Sequence, residues 1–389
     1  MEKNIKFGII GIGNIGSFHA SNLLSGLVAG GELAAVCDVD SEKLKTWDEK
    51  KCGVPSFSSY KDMIDSISLD AVIVSVPHYS HGKITIYALE HGLNVICEKP
   101  EAVSVSEAML MNEAAKKSGM IFSMMFNQRT DPIFAKAHEL VHSGVLGEKK
   151  RLTWIITNWY RTQAYYDSGS WRATWSGEGG GVLLNQAPHN IDLWQWIFGM
   201  PDSITAICSV AKYHNIEVED DVRIIASYKS GATAEFITST GEFPGTNRLE
   251  MIGDRAKMVL EDGKLKLWTL KIPEREFCFD SNSGFAEIPT EYQEFTFDNA
   301  PEGHIAIIEN FIDAINGRAE LLSPGYEGIN ELTVSNAAYL SAWTNKTVAL
   351  PFDPSDFDRY LSALASDKVS GKLSTAKEVP SPERWKVRW

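Results

Sequence analysis

The residues able to do chemistry in this chain cluster in a few short stretches, and the densest is GGGVLLNQAPHNIDL at 179–193. Asn185, His189 and Asp192 follow three glycines at spacings of four and three. Proline is tolerated only at the start of a helix, so Pro188 implies a helix that begins within a turn before it. The three polar residues then share one face near that start. Histidine takes or gives a proton near neutral pH. Asparagine offers an acceptor and donors but no titratable proton. The glycines are expected to bend the chain tightly and leave open space above that face for a ligand. Two metal-type side chains are too few for a zinc site, and no other His/Cys cluster converges by sequence, so no metal is expected.

Two further stretches carry chemistry. GIIGIGNIG places Gly11, Gly13 and Gly16 as GxGxxG between a strand-like run and a helix-like run. Gly11 permits the turn, Gly13 lets the backbone approach a pyrophosphate, and Gly16 allows the helix to pack on the strand. Asp38 falls 22 residues past Gly16, at the end of the next apolar run. A carboxylate there takes ribose hydroxyls and repels a 2′-phosphate, so NAD is expected over NADP. NVICEKP ends in Lys99, held stiff by Pro100. In open α/β sheets ligands sit outside the carboxyl ends of the strands, which puts Lys99 beside a nicotinamide.

The elements that must position these groups follow from the hydrophobic pattern. Over the first 125 residues, short apolar runs (IKFGIIG, GELAAVCDVD, DAVIVSVP, NVICEKP, MIFSMMFN) alternate with helical segments. One of these, SEKLKTWDEKKCG, opens with Ser41 as N-cap. That alternation implies a doubly wound parallel sheet, a Rossmann domain over 1–125. From 126 to 389 the texture is β-rich, with SYKSGATAEF and LEDGKLKL reading as hairpins. This predicts an α+β domain with a large, mostly antiparallel open sheet. Helices are expected at DPIFAKAHELVHSG, HNIDLWQWIFG and GHIAIIENFIDAING. A C-terminal helix near 326–345 is expected to pack back on the first domain. The polar, Pro-containing tail from 353 onward is read as a segment that packs against a partner subunit.

Composition narrows the function classes. The chain is 44% hydrophobic and 23% charged, as ordinary globular proteins are. Its net charge of −14 argues against nucleic-acid partners, which need clustered Lys and Arg. No apolar run approaches the ~18 residues of a membrane span, and the N-terminus is not a signal peptide. The five cysteines are odd in number and form no CxxC pair. Together these predict a cytoplasmic protein.

The motifs also carry a resemblance. The chain is similar to the glucose-fructose oxidoreductase / inositol dehydrogenase / MocA family of sugar-type dehydrogenases. The likeness runs in order through GIGNIG, VPHYSHGK, EKP at 98–100, FNQRTDPIF at 126–134, SGVLGE, the GGG-to-His segment and GHIAIIENFIDAI. It covers about residues 1–350. It implies a catalytic Lys99 and a catalytic His189, and an open sheet that makes homodimer or homotetramer contacts. The family usually has an aspartate four residues before that histidine; here the position is Asn185, as in a subset of relatives. The cofactor contacts this suggests are Gly11, Gly13, Asn14, Ile15, Gly16, Asp38, Pro77, His81, Glu98, Lys99, Asn127 and Arg172.

The expected reaction is hydride transfer between a secondary alcohol and NAD. His189 serves as base, Lys99 bonds the reacting oxygen, and Asn185 orients the hydroxyl or His189. Six of the eleven tryptophans lie between 154 and 196, and Trp159, Tyr160, Arg161, Trp171 and Arg172 fall in or beside a loop. Aromatic faces with polar forks suit a polyhydroxylated ring. A sugar, glycoside or inositol is therefore expected to meet Lys99, Gln128, Arg129, Tyr160, Trp171, Asn185 and His189. Two alternatives remain open: a redox-assisted glycosidase that recycles NAD in place, and a non-catalytic NAD- or sugar-binding regulator.

Overall fold

The computed structural model describes residues 4–50, 52–297 and 302–366. The first elements are β1 (Ile5–Ile10), α1 (Asn14–Leu24), β2 (Gly31–Cys37), α2 (Ser41–Glu49), β3 (Ser56–Phe57), α3 (Tyr60–Ser66), β4 (Ala71–Val74), α4 (His81–Glu90), β5 (Asn94–Cys97), α5 (Val105–Ser118) and β6 (Phe122–Met124). Then come α6 (Pro132–His142), β7 (Lys149–Ile156), α7 (Gln163–Tyr166), α8 (Pro188–Phe198), β8 (Ser203–Val210), β9 (Glu219–Ser227), β10 (Thr233–Ser239), β11 (Asn247–Gly253), β12 (Ala256–Glu261), β13 (Lys264–Leu270), α9 (Glu274–Asp280) and β14 (Thr290–Thr296). The chain closes with α10 (Gly303–Ile315), α11 (Gly328–Thr344), β15 (Val348–Ala349) and α12 (Pro354–Ala365).

These residues form two compact units. The first takes the described residues within Met1–Thr130 and Pro301–Leu332; the second takes those within Asp131–Ala300 and Thr333–Trp389. The first crossing thus falls at Thr130, and the described residues return to the first unit from Glu302. Of the tail from 353 onward, read from sequence as a partner contact, the described part forms α12, whose Phe357 is buried against Trp343 of the same unit, and residues 367–389 lie outside the described residues.

In the first unit the apolar runs become a parallel sheet of order β3-β2-β1-β4-β5-β6. Phe7, Ile9, Ile73, Val95 and Ile96 are fully buried, because helices cover both faces; this is why the strands read as unbroken apolar runs. The strand order reverses between β1 and β4, so the carboxyl ends of those two strands flank the ligand crevice expected of such sheets. α10 completes this core: Ile307, Ile308, Phe311 and Ile312 join Phe7, Ile9, Leu23 and Val28 in one cluster. Asp40 rather than Ser41 caps α2, its carboxylate accepting the Glu42 and Lys43 N–H groups at 3.0 and 3.5 Å. A carboxylate outcompetes a hydroxyl for adjacent N–H groups near the positive end of a helix.

The second unit carries a sheet of order β14-β13-β12-β11-β7-β10-β9-β8-β15. Only β7 and β10 run parallel; the other pairs are antiparallel. β12 and β13 meet at Asp262 and Gly263, both at positive φ (52° and 72°), the pairing a tight two-residue hairpin demands. Trp154, Ile224 and Phe236 face the core. The opposite face leaves Ile207 and Ile225 exposed, and the expected homo-oligomer contact concerns this face. No helix among the described residues is long and apolar enough to cross a membrane. All five cysteines are free thiols, and burial pushes Cys37 up to about 12.

Candidate active site

The glycine turn of the first unit follows directly from β1. Gly11 sits at φ +90°, where a Cβ would collide with the Ser75 carbonyl oxygen. A Cβ at Gly16 would collide with the Gly11 carbonyl, so α1 can lie against the strand only with glycine there. Gly13 differs from both: a Cβ there meets no described atom within 4 Å. It is also the N-cap of α1 and supplies no side-chain cap, so the first N–H groups of the helix face an open cradle bounded by Asn14 and Ile15. Asp38 stands at the rim. Its carboxylate accepts the Ile12 N–H at 2.9 Å, the Asp40 N–H at 2.9 Å and the Lys43 ammonium at 3.4 Å. A cradle of bare N–H groups beside a fixed carboxylate fits a dinucleotide: pyrophosphate at the helix end, ribose hydroxyls at Asp38.

The ends of β4 and β5 carry the second part. Pro77 leads into a short 3₁₀ turn, His78–Ser80, and His81 opens α4. His81 is fully buried, with Nδ1 and Nε2 each 2.8 Å from a carbonyl oxygen, those of Pro100 and Val76. Burial depresses its pKa. Both ring nitrogens of His81, expected at the cofactor, face these carbonyls, so its side chain braces the end of β4 against the turn that holds Lys99. Glu98 is buried beside His19, Nε2 to Oε1 at 2.8 Å. Burial alone would raise its pKa, but the His19 hydrogen bond and charge, with Lys99 and His304, hold it at about 2. Lys99, partly exposed, thus follows a fixed anion at a strand's carboxyl end. His19 escapes sequence reasoning, since it lies 79 residues from Glu98.

Past β6, Asn127 and Gln128 are partly exposed in a 3₁₀ turn. The Asn127 amide nitrogen lies 3.4 Å from His304 Nδ1, while its Oδ1 is buried with no hydrogen-bond partner among the described residues. An unsatisfied acceptor here fits an amide donor such as a nicotinamide carboxamide. Arg129, expected at the substrate, has its guanidinium engaged within the first unit. It is buried, bonds the Leu322 carbonyl at 3.0 Å, pairs with Glu327 and lies over the Phe126 ring. A guanidinium so committed packs its own unit.

In the second unit the glycine run bends at Gly179, φ +83°. The space the glycines create is filled by protein rather than left open. A Cβ at Gly180 would strike the Tyr339 hydroxyl, and one at Gly181 the Glu219 carbonyl. The Glu219 carboxyl accepts the Gly181 N–H (3.1 and 3.0 Å), the Leu183 N–H (3.0 Å) and the Tyr339 hydroxyl (2.7 Å). Burial pushes Glu219 up to about 7, against the pull of those hydrogen bonds.

α8 begins at Pro188, its first residue, so Asn185 lies in the hydrogen-bonded turn before the helix and not on it. That turn is wound enough (Asn185 N–H to Gly181 O, 3.0 Å) to keep Asn185 and His189 near each other in the chain path. From Glu178 to Gln195 these two alone are other than buried. Asp192 is buried and accepts from Gln195 at 3.0 Å, which sets it apart from the pair.

Around Asn185 stands a group that sequence reasoning does not find. Its amide nitrogen donates to the Glu178 carboxylate and lies 3.4 Å from the Tyr165 hydroxyl. Tyr165 Oη also receives Gln186 Nε2 at 3.3 Å and Arg172 at 3.0 Å. The Arg172 guanidinium lies over the Tyr165 and Trp171 rings, at 4.7 and 4.6 Å. Arg172, expected at the cofactor, packs its guanidinium in this aromatic cluster. Tyr160 is exposed against Phe243, and Trp159 bonds Asn190 at 3.1 Å. Trp154, Trp175 and Trp194 are core. Among the described residues no three His, Cys, Asp or Glu side chains are grouped to hold a metal ion.

A β3-β2-β1-β4-β5-β6 sheet with this glycine cradle and rim carboxylate defines a dinucleotide-binding protein of the Rossmann class. Residues 5–126 match the description "Oxidoreductase family, NAD-binding Rossmann fold", and residues 134–259 match "GFO/IDH/MocA C-terminal domain". The chain belongs to the GFO/IDH/MocA oxidoreductase family, and its cofactor is NAD. It is 25% identical over 332 residues to the scyllo-inositol 2-dehydrogenase (NAD(+)) of Bacillus subtilis, covering 83% of this chain and 90% of that one. It is 27% identical to the myo-inositol 2-dehydrogenase of Thermotoga maritima, covering 66% and 75%. Among solved structures it resembles the WlbA dehydrogenase of Bordetella pertussis in complex with NADH and UDP-GlcNAcA: TM-score 0.75, 25% identity, 90% of this chain and 100% of that one.

Proposed function

We propose that this protein is a dehydrogenase that oxidises a ring secondary alcohol of a sugar, glycoside or inositol. The observation that carries the reading is the exposure pattern from Glu178 to Gln195, where only Asn185 and His189 reach the surface of an otherwise buried stretch. A titratable imidazole and an amide presented together are what an alcohol proton needs: an acceptor and an orienting partner. NAD, when bound, supplies the hydride acceptor. In the first unit, Lys99 at the carboxyl end of β5 is the group suited to donate to a reacting oxygen and stabilise alkoxide character; in the second, His189 is the group suited to take the proton. Tyr165, Trp171 and Arg172 give the sugar an apolar face with a charged edge. Relatives that act on inositols, and one solved with a nucleotide sugar, support a polyhydroxylated ring as substrate.

The test follows absorbance at 340 nm and released aglycone together, over a panel of glycosides and inositols with excess NAD⁺. NADH should accumulate without aglycone. Aglycone without NADH would identify the NAD-recycling glycosidase; neither product, with NADH still bound, would identify a binding protein. In the active protein, His189→Ala should lower turnover about 10²–10⁴-fold.

A further inference from the structure

We propose that Glu178 is a positioning residue that fixes the polarity of Asn185, so that Asn185 presents its carbonyl oxygen to a ligand and reads a donating hydroxyl. This rests on the reading of Asn185 and His189 above. Glu178 is 2% exposed and its carboxylate is tied down on both oxygens. Oε2 accepts the Ala173 N–H at 2.6 Å and Oε1 accepts the Asn185 amide. The loop that holds it is itself fixed. Ala173 sits at φ +51°, the Glu178 N–H bonds the Thr174 carbonyl at 3.0 Å, and the Gly177 N–H bonds Thr174 Oγ1 at 3.0 Å.

A carboxylate only accepts, so the edge of Asn185 that faces it must be the NH₂ edge. The reverse orientation would press a carbonyl oxygen against a carboxylate oxygen in a buried place. The second amide hydrogen lies toward the Tyr165 hydroxyl, 3.4 Å away. With the nitrogen side turned to Glu178 and Tyr165, Oδ1 is what Asn185 turns the other way. An asparagine on the surface can offer either edge; this one is set as an acceptor. The chemistry that matches it is an O–H or N–H donor, so a ligand hydroxyl is favoured over a carbonyl or carboxylate at the same place. The charge that sets this polarity stays behind Asn185 and never meets the ligand.

The arrangement also dictates what an aspartate at 185 would do. It would bring two carboxylates into contact, and one of them must then hold a proton. Its pKa rises, so the variant loses stability as pH increases through the raised value. Glu178→Gln in the same chain restores a donor–acceptor pair with the polarity reversed in origin but the same at the ligand.

The experiment compares wild type, Glu178→Gln, Asn185→Asp and the double variant, with myo-inositol and NAD⁺ for kinetics and thermal melting from pH 5 to 8. Asn185→Asp should lose melting temperature against wild type as pH rises, and the double variant should run parallel to wild type. Glu178→Gln should raise KM for myo-inositol about tenfold with a smaller change in kcat, and the double variant should recover most of it. An Asn185→Asp protein that melts parallel to wild type across this range overturns the proposal, whatever the activity. So does an unchanged KM in Glu178→Gln where His189→Ala is impaired. If wild type turns over no member of the inositol and glycoside panel, the dehydrogenase reading fails, and the melting series alone decides the polarity of Asn185.

Discussion

The glycine cluster of the first unit (Gly11, Gly13, Gly16) and that of the other unit (Gly179, Gly180, Gly181) are alike in composition and serve different ends. At Gly13 a Cβ would meet no described atom within 4 Å, so the missing side chain leaves open room at the start of α1. At Gly180 and Gly181 a Cβ would strike Tyr339 and Glu219, so the missing side chains let protein close on itself. One cluster leaves a helix end open; the other closes the packed stretch in which only Asn185 and His189 are partly exposed. A glycine-rich motif therefore says only that a backbone must be approached closely, and the identity of the approaching group decides the function.

Three substitutions press on that contrast. The largest effect is expected at Gly181→Ala, where the new methyl meets backbone that cannot rotate away. Such overpacking costs about 3 kcal/mol, which lowers Tm by roughly 10 °C for a unit of this size. A melt within a degree of wild type would show that the run is not a packing device. Next comes Gly13→Ala. It should leave the melt of the cofactor-free protein unchanged and weaken NADH about 10–100-fold, read by quenching of tryptophan fluorescence. Unaltered NADH affinity would remove Gly13 from the cradle.

The smallest effect concerns Glu219, the group against which Gly181 closes. Its carboxyl rises from 4.5 unfolded to about 7 folded, so the native state holds the extra proton and stability is lost as pH rises through that window. Between pH 6 and 7.5 this amounts to about 1 kcal/mol. Glu219→Gln, which resembles the protonated acid, should flatten that part of the Tm–pH curve. A slope equal to wild type would mean Glu219 is ionised throughout. Glu98 is the contrasting case, a buried carboxylate held at about 2 by His19 and neighbouring cations. Its contribution is lost only as pH falls below about 4.5.

Legibility in the sequence follows the same division. Gly11, Gly13, Gly16 and Asp38 are legible because strand, turn, helix and carboxylate follow within one βαβ unit, and local spacing determines their geometry. The run at 179–181 is legible as a bend but not as a joint, because its partners Glu219 and Tyr339 are 38 and 158 residues away. His81 and Arg129 have the residue types of binding groups, and only the tertiary fold shows the carbonyls and the carboxylate that occupy them. Glu178 carries a faint signal, a carboxylate directly before three glycines, but nothing in the spacing ties it to Asn185. The amphipathic pattern of residues 303–315 announces a helix without saying which core it completes.

That last helix has a consequence for how the molecule is made. The described residues up to Thr130 include every strand of the NAD-binding sheet, yet Ile307, Ile308, Phe311 and Ile312 belong to the same core. On the ribosome, 170 residues, 131–300, are synthesised between the two pieces. At ~5–20 residues per second that is a delay of roughly 10–30 s. Through that interval the apolar surface around Phe7, Ile9 and Val28 waits for its cover, while the interrupting unit is already emerging. The cofactor half starts first and finishes late, and a nascent chain halted before residue 307 carries a complete set of Rossmann strands with its core still open.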